Sequence, residues 1–265
     1  MKAVILAAGT GSRMGSLTRD KHKCMLEFLG KRIIDRQLGA MRAEGIEDII
    51  VVAGHMADNL DCPGAKKVIN ERFAATNMVE SFFCTRPLWD GAVMVSYGDI
   101  VYERKVLRAL LESKDDISVV VDLNGAGYFR DRFGEDFLSE TESMVFNGKN
   151  EIVDIGEPRP DISRVKGQYI GLLKFSKKGI DIISNIYDTD KKEYWDKKWL
   201  RSKNFQNGYM TDMLQRAIDL GHRVKAVPVN GGWLEFDSER DYSRYMDWKE
   251  KGVLDRYFKD RSLEG

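Results

Sequence analysis

The sequence predicts an α/β protein, with a Rossmann-like, mainly parallel sheet flanked by helices and a small mixed-sheet region after it. Three observations lead there. Apolar runs of strand length alternate with helical patterns as far as about residue 122. The runs are continuous, as in Asp48-Ile49-Ile50-Val51-Val52-Ala53, which implies strands covered on both faces. A glycine-rich loop, Ala8-Gly9-Thr10-Gly11, follows the first run directly. In such sheets ligands sit beyond the carboxyl ends of the strands.

Taken in order, Lys2 to Ala7 is a buried strand, too short for a secretory or membrane-spanning segment. Ile33 to Glu44, Asp48 to Ala53, Met78 to Thr85, Val93 to Ser96, Lys105 to Leu111 and Ile117 to Val121 continue the rhythm. The stretch from Asn124 to Glu142 is polar and breaks it. Ser143 to Phe146 and Glu151 to Ile155, joined through Asn147-Gly148, form a hairpin. Gly167 to Phe175 is a further strand, and Tyr209 to Leu220 a helix with Met210, Met213, Leu214, Ala217 and Ile218 on its buried face. Val224 to Val227 and Trp233 to Phe236 are short strands, and Ser238 caps a closing helix that runs to about Lys251.

The 265 residues, 43% hydrophobic and 32% charged, suit one large domain. Lys+Arg 42 balances Asp+Glu 42, so no overall field attracts nucleic acid or anionic lipid, and an anionic ligand must be gripped locally. Cys24, Cys62 and Cys84 form neither a disulfide framework nor a zinc motif, which fits a reducing, cytoplasmic setting. His22, His55 and His222 belong to no Ser/His/Asp arrangement.

The chemistry starts at the loop. Gly9 and Gly11 let the backbone approach a phosphate with its N–H groups, and Arg13 adds a forked donor. Met14 stands where a dinucleotide fingerprint needs its third glycine, and no Gly-Lys-Ser/Thr follows for a P-loop. Ten residues beyond Arg13 lies Lys23, with Lys21 as its rival if the register slips. Val93 to Ser96 leads through Tyr97-Gly98 to Asp99, an acid at a strand's carboxyl end, where Mg²⁺ takes one or two carboxylates plus substrate phosphates. Alternatively, Asp99 caps the next turn.

Leu6-Ala7-Ala8-Gly9-Thr10-Gly11-Ser12-Arg13-Met14, followed by Leu17-Thr18 and Lys23-Cys24-Met25-Leu26, resembles the NTP-binding motif of the nucleotidyltransferases that activate sugar 1-phosphates, phosphocholine and phosphonates. His22 replaces a usual proline, and Gly15-Ser16 stands where a proline often precedes Leu-Thr. Ser96-Tyr97-Gly98-Asp99, Asn77-Met78-Val79-Glu80-Ser81 and Gly167-Gln168-Tyr169-Ile170-Gly171 look like the phosphonate and phosphocholine cytidylyltransferase branch. The resemblance implies an NTP-binding half to about residue 122, an acceptor half over about 123–237, and a closing helix and tail at 238–265.

It further implies that Leu6, Ala8, Gly9, Thr10, Gly11, Ser12, Asn77, Ser81 and Tyr97 bind the NTP, and that Arg13 and Lys23 act in catalysis. Mg²⁺ is the expected cofactor, on Asp99 and Asp237. Thr76 or Asn77 could equally serve only as a helix cap, and Asp237 as an acid at a helix N-terminus. Arg130, Arg132, Tyr169, Trp195 and Glu235 are the acceptor-binding candidates. Trp195 would offer cation–π contact to an ammonium, against a reading in which Trp195 and Trp199 form the buried face of a helix.

The expected partners are CTP and a small phosphonate or phosphomonoester, with neither nucleic acid nor membrane, and with a homodimer left open. A sugar-1-phosphate nucleotidyltransferase using UTP, dTTP or GTP is the rival enzyme, and an inactive nucleotide-binding module the rival from another class.

Overall fold

The computed structural model describes residues 1–260. The last five residues of the expected C-terminal tail lie outside the described residues.

The chain runs β1 (Lys2–Ala7), β2 (Glu27–Phe28), β3 (Lys31–Arg32), α1 (Ile33–Ala43), β4 (Ile49–Ala53), β5 (Lys66–Ile69), α2 (Met78–Phe83), β6 (Val93–Tyr97), β7 (Ile100–Tyr102), α3 (Arg104–Glu112) and β8 (Ile117–Asp122). It continues α4 (Gly125–Phe133), β9 (Glu142–Phe146), β10 (Ile152–Pro158), β11 (Gln168–Phe175), α5 (Lys177–Tyr194), α6 (Met210–Asp219), β12 (Lys225–Val229), β13 (Trp233–Glu235) and α7 (Glu239–Glu250).

Seven strands form one sheet in the order β12-β8-β11-β6-β1-β4-β5. Neighbours are parallel except at β11, which is antiparallel to both β6 and β8. The continuous apolar strands are covered on both faces, as predicted. Ile5, Val51, Met94 and Val120 belong to the core on one side with α1, and Val4, Val52, Val95 and Val119 to the core on the other with α2, α5 and α6. The β9–β10 hairpin forms as expected, with an Asn147 turn.

Two helices depart from the sequence reading. The polar stretch after residue 122 contains α4, whose inner face buries Tyr128, Phe129 and Arg132. At Gly125, which opens this helix, a side chain would meet Gln168 Cβ at 2.2 Å, so the glycine permits close packing on β11. The 18-residue α5 ends at Tyr194, so Trp195 and Trp199 do not share a helix face. Trp195 is its C-cap, and Trp199 lies in the following turn with its indole N–H donating to Asp190 at 2.8 Å.

A two-strand ribbon completes what the sheet begins. β7 leaves the end of β6 and pairs antiparallel with β13, placing Glu235 opposite Ile100. Phe236 N–H then donates to the Asp99 carbonyl at 2.9 Å. Two acids 138 residues apart in sequence, Asp99 and Asp237, are thereby set side by side at the carboxyl end of the sheet.

Candidate functional site

The cleft lies over the carboxyl ends of β1 and β6. Its walls include the whole loop from Leu6 to Arg13, with Lys23, Asn77, Ser81, Tyr97, Asp99 and Asp237. The structure therefore gathers every predicted NTP, catalytic and metal residue in one place. Gly9 faces open space where a side chain would stand, and Gly11 turns the loop at φ +62°, with its carbonyl accepting from the Thr18 hydroxyl at 3.0 Å. Gly98 packs so tightly that a Cβ would meet the Leu6 carbonyl at 2.8 Å, so the turn that leads to Asp99 lies against the end of β1.

At the floor of the cleft the Lys23 ammonium donates to Asp99 Oδ2 at 2.9 Å and to Asp237 Oδ1 at 3.3 Å. Lys21 is exposed and is not among the cleft walls, whereas Lys23 is. The Lys23 side chain is only 13% exposed. Burial acts to lower its pKa, but the charges of Asp99 and Asp237 outweigh burial and hold the ammonium above its ordinary value. Arg13 reaches in from the exposed rim to Asp237 Oδ1 at 2.9 Å.

Asp99 does not cap the turn: one oxygen takes Lys23, and Oδ1 is buried with no hydrogen-bond partner. An orphaned buried carboxylate oxygen beside a second carboxylate suits a hard cation. Among the described residues no group of three or more His, Cys, Asp or Glu could hold a metal by itself. A cation here would rest on two carboxylates and on the phosphates it accompanies, which is how Mg²⁺ is usually held.

On the opposite wall Asn77 caps α2, its side chain accepting from Met78 N–H, so the cap and the cleft wall are the same residue. Buried Asn70 fixes this wall by donating to the hydroxyls of Thr76 and Ser81, both at 3.0 Å. Phe73 and His22 also line the cleft, and neither was among the expected contacts. His22 is buried, which holds its imidazole pKa below the ordinary value.

The acceptor candidates behave differently, and none of the five lines this cleft. Arg132 is a correction: its side chain is 0% exposed, with donors directed at Asp241 and Glu235, so it has no free face for a ligand. Arg130 is exposed on α4, and its guanidinium lies 4.7 Å from the Phe137 ring, away from the cleft walls. Trp195 already carries two cations, Arg72 and Lys191, each 4.8 Å from its ring, so no bare aromatic face waits for an ammonium. Glu235 points at Arg132 at 2.7 Å, and burial together with the charge of Asp237 pushes its carboxyl above the ordinary range. Tyr169 does not line the cleft but touches Tyr97, which does, with the two rings T-shaped and their centroids 5.7 Å apart.

A glycine loop on the first strand, facing two strand-end carboxylates bridged by a lysine, is the layout of a protein that handles nucleoside triphosphates, and the class that fold and cleft define is the NTP transferases. Sequence comparison narrows the class. The model for the MobA-like NTP transferase domain matches residues 3–158, more than half of the chain, and the chain belongs to that family. The CTP:phosphoglutamine cytidylyltransferase of Campylobacter jejuni is 34% identical over 253 residues, covering 91% of this chain and 97% of the relative. Among solved structures, the inositol-1-phosphate CTP transferase of T. maritima aligns with a TM-score of 0.71 at 21% identity, covering 96% of this chain and 95% of its own. The CTP:phosphocholine cytidylyltransferase of Streptococcus pneumoniae aligns with a TM-score of 0.66 at 20% identity, covering 93% of this chain and 97% of its own. At those identities the structural likenesses establish the fold, in agreement with the sequence-derived fold class. No helix among the described residues is long and apolar enough to cross a membrane.

Proposed function

We propose that this protein transfers CMP from CTP to a small phosphomonoester or phosphonate and releases pyrophosphate. The observation that carries the reading is the Lys23 bridge between Asp99 and Asp237, facing the Gly9–Gly11 loop across a single cleft. The full-length relative that bears CTP in its name supports the choice of base. The loop N–H groups and Arg13 hold the triphosphate, while Asn77, Ser81 and Tyr97 bound the nucleoside and acceptor sides.

An acceptor phosphate is anionic near neutral pH, so its attack on the α-phosphorus needs charge neutralisation and alignment more than a general base. Lys23 and Arg13 neutralise charge that builds on the transferring phosphoryl group and the leaving pyrophosphate. Asp99 and Asp237 would hold Mg²⁺, which supplies Lewis-acid charge stabilisation when bound.

Pyrophosphate release, measured with each of CTP, UTP, dTTP and GTP, Mg²⁺ and a panel of phosphonates, phosphomonoesters and hexose 1-phosphates, tests activity, base and acceptor together. The expected result is turnover with CTP and a non-sugar acceptor. Faster turnover of UTP, dTTP or GTP with a hexose phosphate would reassign the protein to sugar activation. Nucleotide binding without release in any combination would make it a binding module.

A further inference from the structure

Arg132 is the most completely enclosed cation beside the cleft, and it has no role in the reaction just described. Its guanidinium Nε and Nη2 donate to the two oxygens of Asp241 at 2.7 and 2.9 Å, a bidentate fork. Nη1 donates to Glu235 at 2.7 Å, and Nη2 also lies 3.6 Å from Asp237 Oδ2. The rings of Phe133, Phe129 and Tyr128 surround the guanidinium carbon with centroids at 4.6, 5.5 and 5.8 Å. A charge with this little access to water persists only when it is paired on every side, and here pairing and packing fix one orientation.

Asp241 carries the constraint onward. Its Oδ2 accepts from the backbone N–H of Asp237 at 3.2 Å and of Ser238 at 2.8 Å, and from the Ser238 hydroxyl at 2.8 Å. Asp237 is thus held twice, through its backbone by Asp241 and on one carboxylate oxygen by Arg132. Its other oxygen, Oδ1, is left facing Lys23 and Arg13 in the cleft. The partners come from α4 and from the start of α7, so the strut ties the middle of the chain to its C-terminal part.

We infer that Arg132, acting through Asp241, is a positioning residue that sets which oxygen of Asp237 enters the cleft and where. The inference rests on the reading of Asp237 as a metal ligand. Groups that orient a ligating carboxylate typically change metal affinity by about 10–100-fold when removed. Lysine at this position keeps the charge but not the fork, so it cannot hold Asp241 and Glu235 together.

The probe is Mn²⁺, titrated by electron paramagnetic resonance into the protein with and without CTP, for wild type, Arg132→Lys, Arg132→Met, Asp241→Asn and Asp237→Asn. Circular dichroism confirms that each variant is folded at the assay temperature. Should Arg132→Met fail to fold, Arg132→Lys and Asp241→Asn carry the test. The expected result is that these two weaken Mn²⁺ binding to the CTP complex by about 10–100-fold, in parallel with Asp237→Asn, while the KM for the acceptor holds. Loss of Mn²⁺ binding in Asp237→Asn with wild-type affinity in both strut variants would overturn the inference and spare the metal reading. A rise in acceptor KM alone would also overturn it, by returning Arg132 to substrate contact. Mn²⁺ binding indifferent to Asp237→Asn would overturn the metal reading and the inference with it.

Discussion

Replacing Lys23 with methionine removes a cation that touches both cleft carboxylates while nearly preserving side-chain length. Breaking a fully buried ion pair costs about 3–5 kcal/mol. Here Asp99 and Asp237 remain 23% and 22% exposed and Arg13 still reaches Asp237, so the loss falls below that range. A destabilisation of about 1–3 kcal/mol follows, or roughly 2–4 °C in Tm for each kcal/mol in a chain of this size. The intuition that a loop lysine is neutral for stability, which its sequence context encourages, fails because the side chain is largely enclosed.

Turnover should fall by about 10²–10³-fold, the usual effect of deleting one donor aimed at developing charge. The sign of the pH dependence follows from the raised pKa. Lys23 contributes its stabilisation fully below the ordinary lysine range and loses it only as pH rises through its still higher folded value. The Tm gap between variant and wild type should therefore persist throughout about pH 6 to 9. Differential scanning calorimetry and pyrophosphate release on the same preparations provide the check. A variant with wild-type Tm and turnover within about tenfold of wild type would refute both the enclosure and the role.

Three further substitutions test other parts of the structure. Burial, reinforced by the charge of Asp212 and opposed by Arg201, pushes the Glu142 carboxyl up to about 7. The folded protein then binds more protons than the unfolded chain between about pH 4 and 7, and stability falls as pH rises through that window. Glu142→Gln should raise Tm at pH 8 by an amount on the order of 1–3 kcal/mol in stability and change little at pH 4; an equal shift at both would contradict the assignment. Gly98→Ala puts a methyl group against the Leu6 carbonyl and the Ala7 Cα and Cβ, so it should lower Tm and displace Asp99, with activity falling more than about tenfold at a temperature where the variant is folded. Trp195→Ala should lower Tm while leaving both KM values unchanged, and a selective rise in acceptor KM would restore Trp195 to the acceptor site.

The nucleotide end of the protein was legible because its signals are local. Gly9, Gly11, Arg13 and Lys23 fall within fifteen residues on one loop and its return, where spacing alone constrains what they can face. Asp99 announced itself at the end of an apolar strand. The acceptor candidates were not legible for a physical reason: whether an arginine on a helix faces ligand or core depends on what packs against that face. For Arg132 the deciding partners, Glu235 and Asp241, lie 103 and 109 residues away. The aromatic pair at 195 and 199 misled in the same way, since its four-residue spacing means a shared face only inside a helix, and α5 stops at Tyr194. The sequence reading named no helix over α5, although Ile180, Ile183, Ile186 and Tyr187 repeat at helical intervals and are buried.

The position of β11 has a practical meaning for anyone who would shorten this chain. That strand arrives after residue 158, where the family match ends, yet it lies between β6 and β8, both formed earlier. A fragment stopping at residue 158 would hold two strands with a missing rung between them, at twice the usual spacing of about 4.8 Å, and could not close the gap without rebuilding its sheet. Each open edge would present unpaired backbone groups, a template for pairing with other molecules. Insoluble aggregate, rather than a smaller nucleotide binder, is the expected product of that truncation. The same threading makes β11 a mechanical seam: Leu172 pairs with Ser96, three residues before Asp99, so strain introduced in the second half reaches the cleft floor along the sheet as well as through the β7–β13 ribbon.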